Sequence, residues 1–235
     1  MRLGLLVCGH VDPRAVGVAG DYPELFADLF APLGADVVPY AVDAGSLPAS
    51  LTECDGWITS PSRSSAFATE PWVRDAVELV RRIVAEERPF AGICFGHQLL
   101  AQALDGRVER AASGWGVGVQ EYAVVAPKPW MDPAPPGRRL RLIASHEDQV
   151  TVLPPGAELL ATSDYCPVAM MAVGERAIGL QPHPEFDAPL AGALLDLRVE
   201  LIGAAKVGAA RATLGLALDR GVVARWIVNF LTGAT

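Results

Sequence analysis

A cysteine between two glycines is the feature of the sequence whose residue types and spacing most clearly suggest chemistry. Cys94 lies in the segment Gly92-Ile93-Cys94-Phe95-Gly96, which follows an apolar run and precedes a helical pattern. Flanking glycines permit a tight strand-to-helix turn that lifts the central side chain above the edge of a sheet. A nearby helix N-terminus favours the thiolate. Cys94 is therefore a candidate nucleophile, and the Phe95 backbone N–H is a candidate oxyanion donor.

A thiol nucleophile needs a base, and the base needs an orienting group. His183 is one of four histidines and lies in Gln181-Pro182-His183-Pro184-Glu185, directly after an apolar strand pattern. The prolines stiffen this segment, and Glu185 is placed to fix the imidazole tautomer. His97 lies three residues after Cys94 on the same helix and is expected to point away from the sulfur. We expect Cys94, His183 and Glu185 to converge; the alternative is a surface loop histidine with an incidental carboxylate.

The elements that position these residues follow an α/β pattern. Short apolar runs at residues 3–7, 56–59 and 89–94 are typical of buried parallel strands. Helical spacing covers residues 71–87, a stretch from about 96 to 105, and 222–231. Strands are predicted at 117–125, 139–145, 158–161, 168–173 and 177–181, and the proline-rich stretch 127–137 is predicted to be a loop. We predict one α/β domain over residues 1–235, with a mostly parallel central sheet flanked by helices and Cys94 at the carboxyl end of a central strand.

Composition narrows the possible partners and compartment. The formal net charge of -8 argues against nucleic acid or an anionic membrane as the partner. Four cysteines are too few for a disulfide scaffold, and none has the CxxC spacing of a zinc site. The apolar start is too short for a signal peptide, and no apolar run approaches the length of a membrane span. These observations predict a soluble, cytoplasmic protein without a structural metal.

The two motifs together resemble a known family. Gly-Ile-Cys-Phe-Gly-His-Gln at 92–98, with His-Pro-Glu at 183–185 downstream, resembles the triad signature of class I glutamine amidotransferases. Weaker matches at 20–23, 55–58, 70–72, 114–115 and 145–150 resemble the free-standing, GMP-synthase-like subgroup. The resemblance covers nearly the whole chain and implies a flavodoxin-like fold.

The resemblance also implies a mechanism and a set of site residues. Cys94 would attack the γ-amide of glutamine or another γ-glutamyl group, and His183, oriented by Glu185, would shuttle the proton. Water would then hydrolyse the γ-glutamyl thioester, with no metal or organic cofactor. Gln98 would contact the glutamyl group, and the segment 145–148 would line its pocket. That segment consists of Ser145, His146, Glu147 and Asp148. His146 is interpreted either as a positioning residue or as a hydrogen-bonded structural histidine.

One loop departs from the family pattern. The family usually carries Gly-Gly-Pro or Gly-Ser after the second strand, where the loop supplies a second oxyanion donor. Here the loop reads Thr59-Ser60-Pro61-Ser62-Arg63. If the donor position corresponds to Ser62, its N–H remains; if it corresponds to Pro61, the donor is lost. Loss of one such donor costs on the order of a hundredfold to a thousandfold in rate.

Three functions are compatible with these residues. The first is release of ammonia from glutamine for a partner synthase, which would be a separate subunit because the sequence contains no ATP-grasp or P-loop signature. The second is a self-sufficient γ-glutamyl peptidase or amidase. The third is a catalytically weak binding or regulatory protein on the same fold, for which Pro61 is the only support.

Overall fold

The computed structural model describes residues 1–234, so Thr235, the last residue of the predicted domain, lies outside the described part. The strands are β1 (Arg2–Val7), β2 (Asp36–Ala41), β3 (Gly56–Thr59), β4 (Phe90–Ile93), β5 (Arg107–Arg110), β6 (Gly116–Val124), β7 (Arg139–His146), β8 (Asp148–Val152), β9 (Ala157–Thr162), β10 (Met170–Val173) and β11 (Ala177–Leu180). The helices are α1 (Val16–Ala19), α2 (Tyr22–Phe30), α3 (Pro71–Ala85), α4 (Phe95–Ala103), α5 (Ala188–Leu197), α6 (Val199–Ile202), α7 (Ala204–Thr213) and α8 (Arg220–Thr232). Single 3₁₀ turns cover Ala31–Leu33, Val42–Ala44 and Pro136–Arg138.

The main sheet has the strand order β2-β1-β3-β4-β11-β10-β9-β6-β7. Strands β2, β1, β3, β4 and β11 pair in parallel, and β10, β9, β6 and β7 continue the sheet with antiparallel pairings. By these pairings only β10 and β6 run against the direction shared by the other strands of this sheet. The predicted α/β fold with a mostly parallel central sheet flanked by helices is therefore confirmed.

Alternating side chains of β1 show why helices cover both faces of the sheet. Leu3 and Leu5 join one buried cluster with residues of α2 and α8, whereas Leu6 joins another with residues of α3 and α4. Successive residues of a strand point to opposite faces, so a strand that is apolar at every position must be covered on both sides. The continuous apolar runs of the sequence are thus the central strands.

The predicted helices agree with the structure to within a few residues. The predicted helix 71–87 is α3, with Pro71 in its first turn, and the helix predicted to begin near Gly96 is α4. The segment 222–231 lies within α8. Within residues 1–234, no helix is both long enough and apolar enough to cross a membrane.

Three strands and several helices are absent from the sequence-based prediction. Strand β2 lies at the edge of the sheet, is only partly buried and contains Pro39, which an edge strand tolerates. Strands β5 and β8 form a separate two-stranded sheet, and β5 buries only Val108 among charged residues. Helices α5, α6 and α7 also precede the last stretch predicted as helical, residues 222–231. The predicted proline-rich loop is confirmed, and Trp226 of α8 holds it by donating a hydrogen bond to Pro133 O at 2.9 Å.

Candidate active site

Cys94 occupies the turn between β4 and α4, at the carboxyl end of a central strand as predicted. Its backbone has φ 49° and ψ -97°, which is rare for a residue with a side chain. The peptide groups around it are held, because Cys94 N–H donates to Leu180 O at 2.7 Å and Gln98 N–H donates to Cys94 O at 3.1 Å. This sharp turn presents the sulfur to a cavity at the sheet edge.

The two flanking glycines are needed for close approach of the backbone. A Cβ atom at Gly92 would overlap the carbonyl group of Gly96, and a Cβ atom at Gly96 would overlap the Thr59 hydroxyl. The same hydroxyl accepts a hydrogen bond from Ile93 N–H at 3.2 Å. Helix α4 therefore begins directly against β3 and β4, and the positive φ of the turn falls on Cys94 itself.

His183 and Glu185 form a buried pair beside Cys94. His183 Nδ1 lies 2.7 Å from Glu185 Oε1, and both side chains are almost completely buried. Because Nδ1 contacts Glu185, Nε2 is the ring nitrogen that remains for Cys94, which lines the same cavity as His183. Phe186 stacks on the imidazole with ring centroids 4.1 Å apart, and Arg220 donates to Glu185 O at 2.9 Å. The residues predicted as a triad are thus neighbours in space.

The electrostatic surroundings keep His183 protonated. Burial alone lowers the pKa of this imidazole, but the charges of Glu185 and Cys94, with the hydrogen bond to Glu185, outweigh burial and raise the pKa above its ordinary value. A protonated imidazole between a carboxylate and a sulfur suits a Cys–His pair that works as imidazolium and thiolate.

Gln181 also contacts the sulfur, although the sequence suggested no role for it. Its Nε2 lies 3.5 Å from Cys94 Sγ, and its Oε1 accepts a hydrogen bond from Gln98 Nε2 at 3.2 Å. Gln98 Nε2 also donates to Asp148 O at 2.8 Å. The position of Gln181, at a strand end just before His183, was the only sequence signal for this contact.

The cavity above Cys94 has a volume of about 330 Å³. It brings together every side chain that the family resemblance implied for substrate binding, which are Gln98, Ser145, His146, Glu147 and Asp148. The Phe95 side chain instead packs in the core against Trp72, with ring centroids 5.7 Å apart. Phe95 can therefore contribute only its backbone N–H, which is the role predicted for it.

Two backbone segments can offer N–H groups for the predicted oxyanion site. The first N–H groups of α4, beginning at Phe95, precede the first intrahelical hydrogen bond and have no acceptor within the helix. Across the cavity, both Pro61 and Ser62 line the wall, and only Ser62 has an N–H to donate. Ser62 Oγ is already used, since it accepts a hydrogen bond from Ser64 N–H at 3.1 Å.

The hydrogen bond of His146 defines its state. His146 Nδ1 lies 3.1 Å from Asp148 O, and because a carbonyl only accepts, Nδ1 carries the proton. Burial and the neighbouring His183 lower the pKa of His146 to about 3, so the ring is neutral at neutral pH. His146 therefore suits positioning better than general base catalysis.

The remaining cysteines and His97 have core roles. Burial raises the pKa values of Cys8, Cys54 and Cys166 above the ordinary value, which disfavours the reactive thiolate. His97 is fully buried against Gly179, and burial lowers its pKa to about 4. The expectation that His97 points away from Cys94 agrees with this packing.

Charged side chains that the sequence analysis did not identify also line the cavity. They are Asp12, Arg14, Arg63, Arg110 and Arg198. Asp12, Arg14 and Arg63 come from loops, and Arg198 follows the last residue of α5. No motif joins these positions in the sequence, so only the fold shows that they meet.

Comparison with known proteins agrees with the geometry. The family model described as "Glutamine amidotransferase class-I" matches residues 24–195. γ-Glutamyl peptidase 5 of Arabidopsis thaliana is 31% identical over 192 residues, covering 77% of this chain and 74% of the relative. A glutamine-hydrolysing GMP synthase of Thermomicrobium roseum is 37% identical over 183 residues, covering 74% of this chain but 32% of the synthase. The fold is similar to that of a glutamine amidotransferase from Thermotoga maritima, with a TM-score of 0.77 at 22% identity over 99% of this chain and 96% of the other. The chain therefore belongs to the class-I glutamine amidotransferase family.

Proposed function

We propose that this protein hydrolyses γ-glutamyl amide bonds through a thioester on Cys94. The observation that carries the proposal is the position of the Cys94 sulfur, which faces a cavity from a strained turn beside the buried His183–Glu185 pair. A nucleophile, a base and a group that orients the base are what such catalysis requires.

The reaction proceeds in two halves. The Cys94 thiolate attacks the γ-carbonyl carbon, and the N–H groups of Phe95 and Ser62 donate to the oxyanion. His183 protonates the leaving nitrogen, the C–N bond breaks, and ammonia or an amine departs. Water then attacks the thioester while His183 takes its proton, which releases glutamate and restores the thiolate. Glu185 orients the imidazole throughout.

One candidate substrate is glutamine, with the ammonia passed to a partner synthase. The similarity to a GMP synthase supports this candidate. The match covers only 32% of that synthase, so the synthase step would depend on residues outside the matched region.

The second candidate is a self-sufficient γ-glutamyl peptidase or amidase. The similarity to γ-glutamyl peptidase 5 supports it, because it extends over 74% of that relative's length. The additional charged groups of the cavity also favour a substrate larger than glutamine.

A substrate screen with matched cysteine variants tests the proposal. Purified protein is incubated with glutamine and with γ-glutamyl amino acids, peptides and alkylamides, and released glutamate, ammonia and amine are measured. We expect Cys94→Ala and Cys94→Ser to abolish turnover, because alanine has no nucleophile and the serine hydroxyl stays protonated. Cys54→Ala, at a buried cysteine outside the cavity, should retain activity. Acid-quenched samples of the parent protein should carry a γ-glutamyl adduct on Cys94. Full turnover by the Cys94→Ala protein would reject thioester catalysis.

A further inference from the structure

The arginines that line the cavity differ in their partners. They are Arg14, Arg63, Arg110 and Arg198. The guanidinium groups of Arg14 and Arg63 each lie 2.9 Å from Asp12 Oδ2, so this carboxylate partners both. Two of the four arginines therefore already have a carboxylate partner in the protein.

The other two arginines, Arg110 and Arg198, differ in whether a carboxylate lies close to them. Arg110 Nε lies 3.3 Å from Glu147 and 3.7 Å from Asp148, so two carboxylates surround it. Among residues 1–234, Arg198 has no carboxylate within ion-pair distance. Arg198 is thus the cavity arginine whose charge the described protein does not neutralise.

The immediate surroundings of Arg198 fix its position without neutralising it. One guanidinium nitrogen donates to Ser145 Oγ at 2.8 Å, and the guanidinium carbon lies 5.8 Å from the centroid of the Trp115 ring. Burial lowers the pKa of Arg198, because desolvation opposes its charge. A partly desolvated cation gains most from an anion that enters the site, so this arrangement favours an anionic ligand.

The place of Arg198 in the chain indicates which part of a substrate it meets. Gln98 and the segment 145–148, proposed to hold the glutamyl group, lie inside the region matched by the family model, residues 24–195. Leu197, Arg198 and Leu201 lie after that region, and all three line the cavity. The glutamyl group is common to every γ-glutamyl substrate, whereas the leaving amine varies. We assign the part that varies to the side of the cavity formed by residues that follow the matched region.

We propose that Arg198 binds a carboxylate on the leaving amine, so that γ-glutamyl amino acids or peptides are preferred over glutamine and neutral γ-glutamyl amides. The planar guanidinium can donate two parallel hydrogen bonds to a carboxylate, while Trp115 and Ser145 hold its orientation. This inference rests on the proposed γ-glutamyl hydrolysis and specifies its substrate class.

Pairs of substrates that differ only in one charge test the inference. γ-Glutamylglycine is compared with γ-glutamylglycinamide, and γ-glutamylalanylglycine with its C-terminal amide, so that two distances from the scissile bond are sampled. For at least one pair, we expect the parent protein to prefer the acid by about tenfold to a hundredfold in kcat/KM. Arg198→Ala should remove this preference mainly by raising KM for the acid, and Arg198→Lys should restore part of it.

A variant in α7, the helix that follows α6, is the control. Arg211 of α7 pairs with Asp196 and does not line the cavity, so Arg211→Ala removes the same charge without touching the site. We expect Arg211→Ala to keep the parent preference for the acid. Loss of the preference in this variant would mean that total charge, rather than a contact at Arg198, sets it.

The outcomes separate this inference from the proposed function. If Arg198→Ala weakens acids, amides and glutamine equally, or if the parent prefers the amides, the assignment of Arg198 is wrong. Calorimetry on the Cys94→Ala protein measures binding of the same pairs without turnover. Stronger binding of the acids by this protein, with no hydrolysis by the parent, would reject the hydrolytic proposal and keep the role of Arg198. If the Cys94→Ala protein binds none of these compounds and the parent hydrolyses none of them, both proposals are rejected.

Discussion

The backbone of Cys94 is strained, and hydrogen bonds to neighbouring residues maintain this conformation. A positive φ at a residue with a side chain costs on the order of 1–3 kcal/mol and persists only where the surroundings impose it. Here the hydrogen bonds of Cys94 N–H to Leu180 O and of Gln98 N–H to Cys94 O fix both adjoining peptide groups. The amide of Gln181 lies 3.5 Å from the sulfur. These contacts therefore fix the direction of the sulfur before any ligand binds.

Pro61 precedes the proposed oxyanion donor Ser62 and gives a prediction at the scale of single residues. We expect Pro61→Gly to leave the rate nearly unchanged or slightly lower, because the proposed donor is the N–H of Ser62, which lines the cavity. The folded protein should lose about 0.4–1 kcal/mol of stability, since glycine widens the conformations of the unfolded chain. Steady-state kinetics on the best substrate and urea unfolding measure the two effects.

A second proline variant controls for lost rigidity. Pro48 is partly exposed in a loop outside the cavity, so Pro48→Gly should affect stability alone. A rate increase of about a hundredfold in Pro61→Gly, absent from Pro48→Gly, would show that the natural loop lacks a donor and that glycine restores it.

The elements that carry Cys94 and His183 could be predicted because they are buried on all sides. Strands β3, β4 and β11 are fully buried, so they appear as uninterrupted apolar runs, and α3 has a regular apolar stripe. Strand β2 could not be found in this way. It is a half-exposed edge strand, and pairing with β1 rather than its own side-chain pattern determines its structure.

The start of α4 gives a prediction at the scale of elements. Gly96→Ala should destabilise the protein by at least about 2 kcal/mol and abolish activity, because the new Cβ would overlap the Thr59 hydroxyl and push α4 away from β3. Gly208→Ala in α7 is the matched control. Gly208 is helical with open space around it, so alanine there should stabilise the protein by about 0.5–1 kcal/mol. Urea unfolding measures both variants, and equal stability of the two would contradict the close approach.

At the scale of the whole molecule, packing assembles the part of the cavity that the sequence did not indicate. Helix α7 lies against β6, where a Cβ atom on Gly118 would come within 2.8 Å of Ala210 Cα. Lys206 of the same helix donates to Trp115 O at 2.9 Å. These contacts bring Trp115 beneath Arg198, although about eighty residues separate the two in the sequence. Motifs pointed to Cys94 and His183, the proposed nucleophile and base, because each lies in a short pattern that is local in sequence. The meeting of the cavity arginines depends instead on long-range packing.

The buried histidines predict how the stability of the whole molecule depends on pH. Burial lowers the pKa of His97 to about 4 and, together with the neighbouring His183, that of His146 to about 3. An unfolded histidine binds its proton near pH 6.5, so between these values the unfolded state holds more protons and stability falls with falling pH. His183 and His10 have raised pKa values, so their unfolded forms take up protons near pH 6.5 while their folded forms are already charged, and they contribute a smaller slope of opposite sign that fades below about pH 6.

We therefore expect the free energy of unfolding to decrease by about 2 kcal/mol for each of His97 and His146 between pH 7 and pH 5, above the range in which ordinary carboxyl groups titrate. Urea unfolding across this interval measures the sum of these two contributions less the smaller opposite contributions of His183 and His10, and the ring C–H resonances of the folded protein report each histidine separately. The resonances of His97 and His146 should not shift in this interval, whereas His10, at the surface, should titrate above pH 6.5. A midpoint near pH 6.5 for either buried histidine would contradict the prediction, because its burial would then carry no penalty for protonation. His97→Gln should remove about 2 kcal/mol of the dependence, since its amide cannot take up a proton in the unfolded chain.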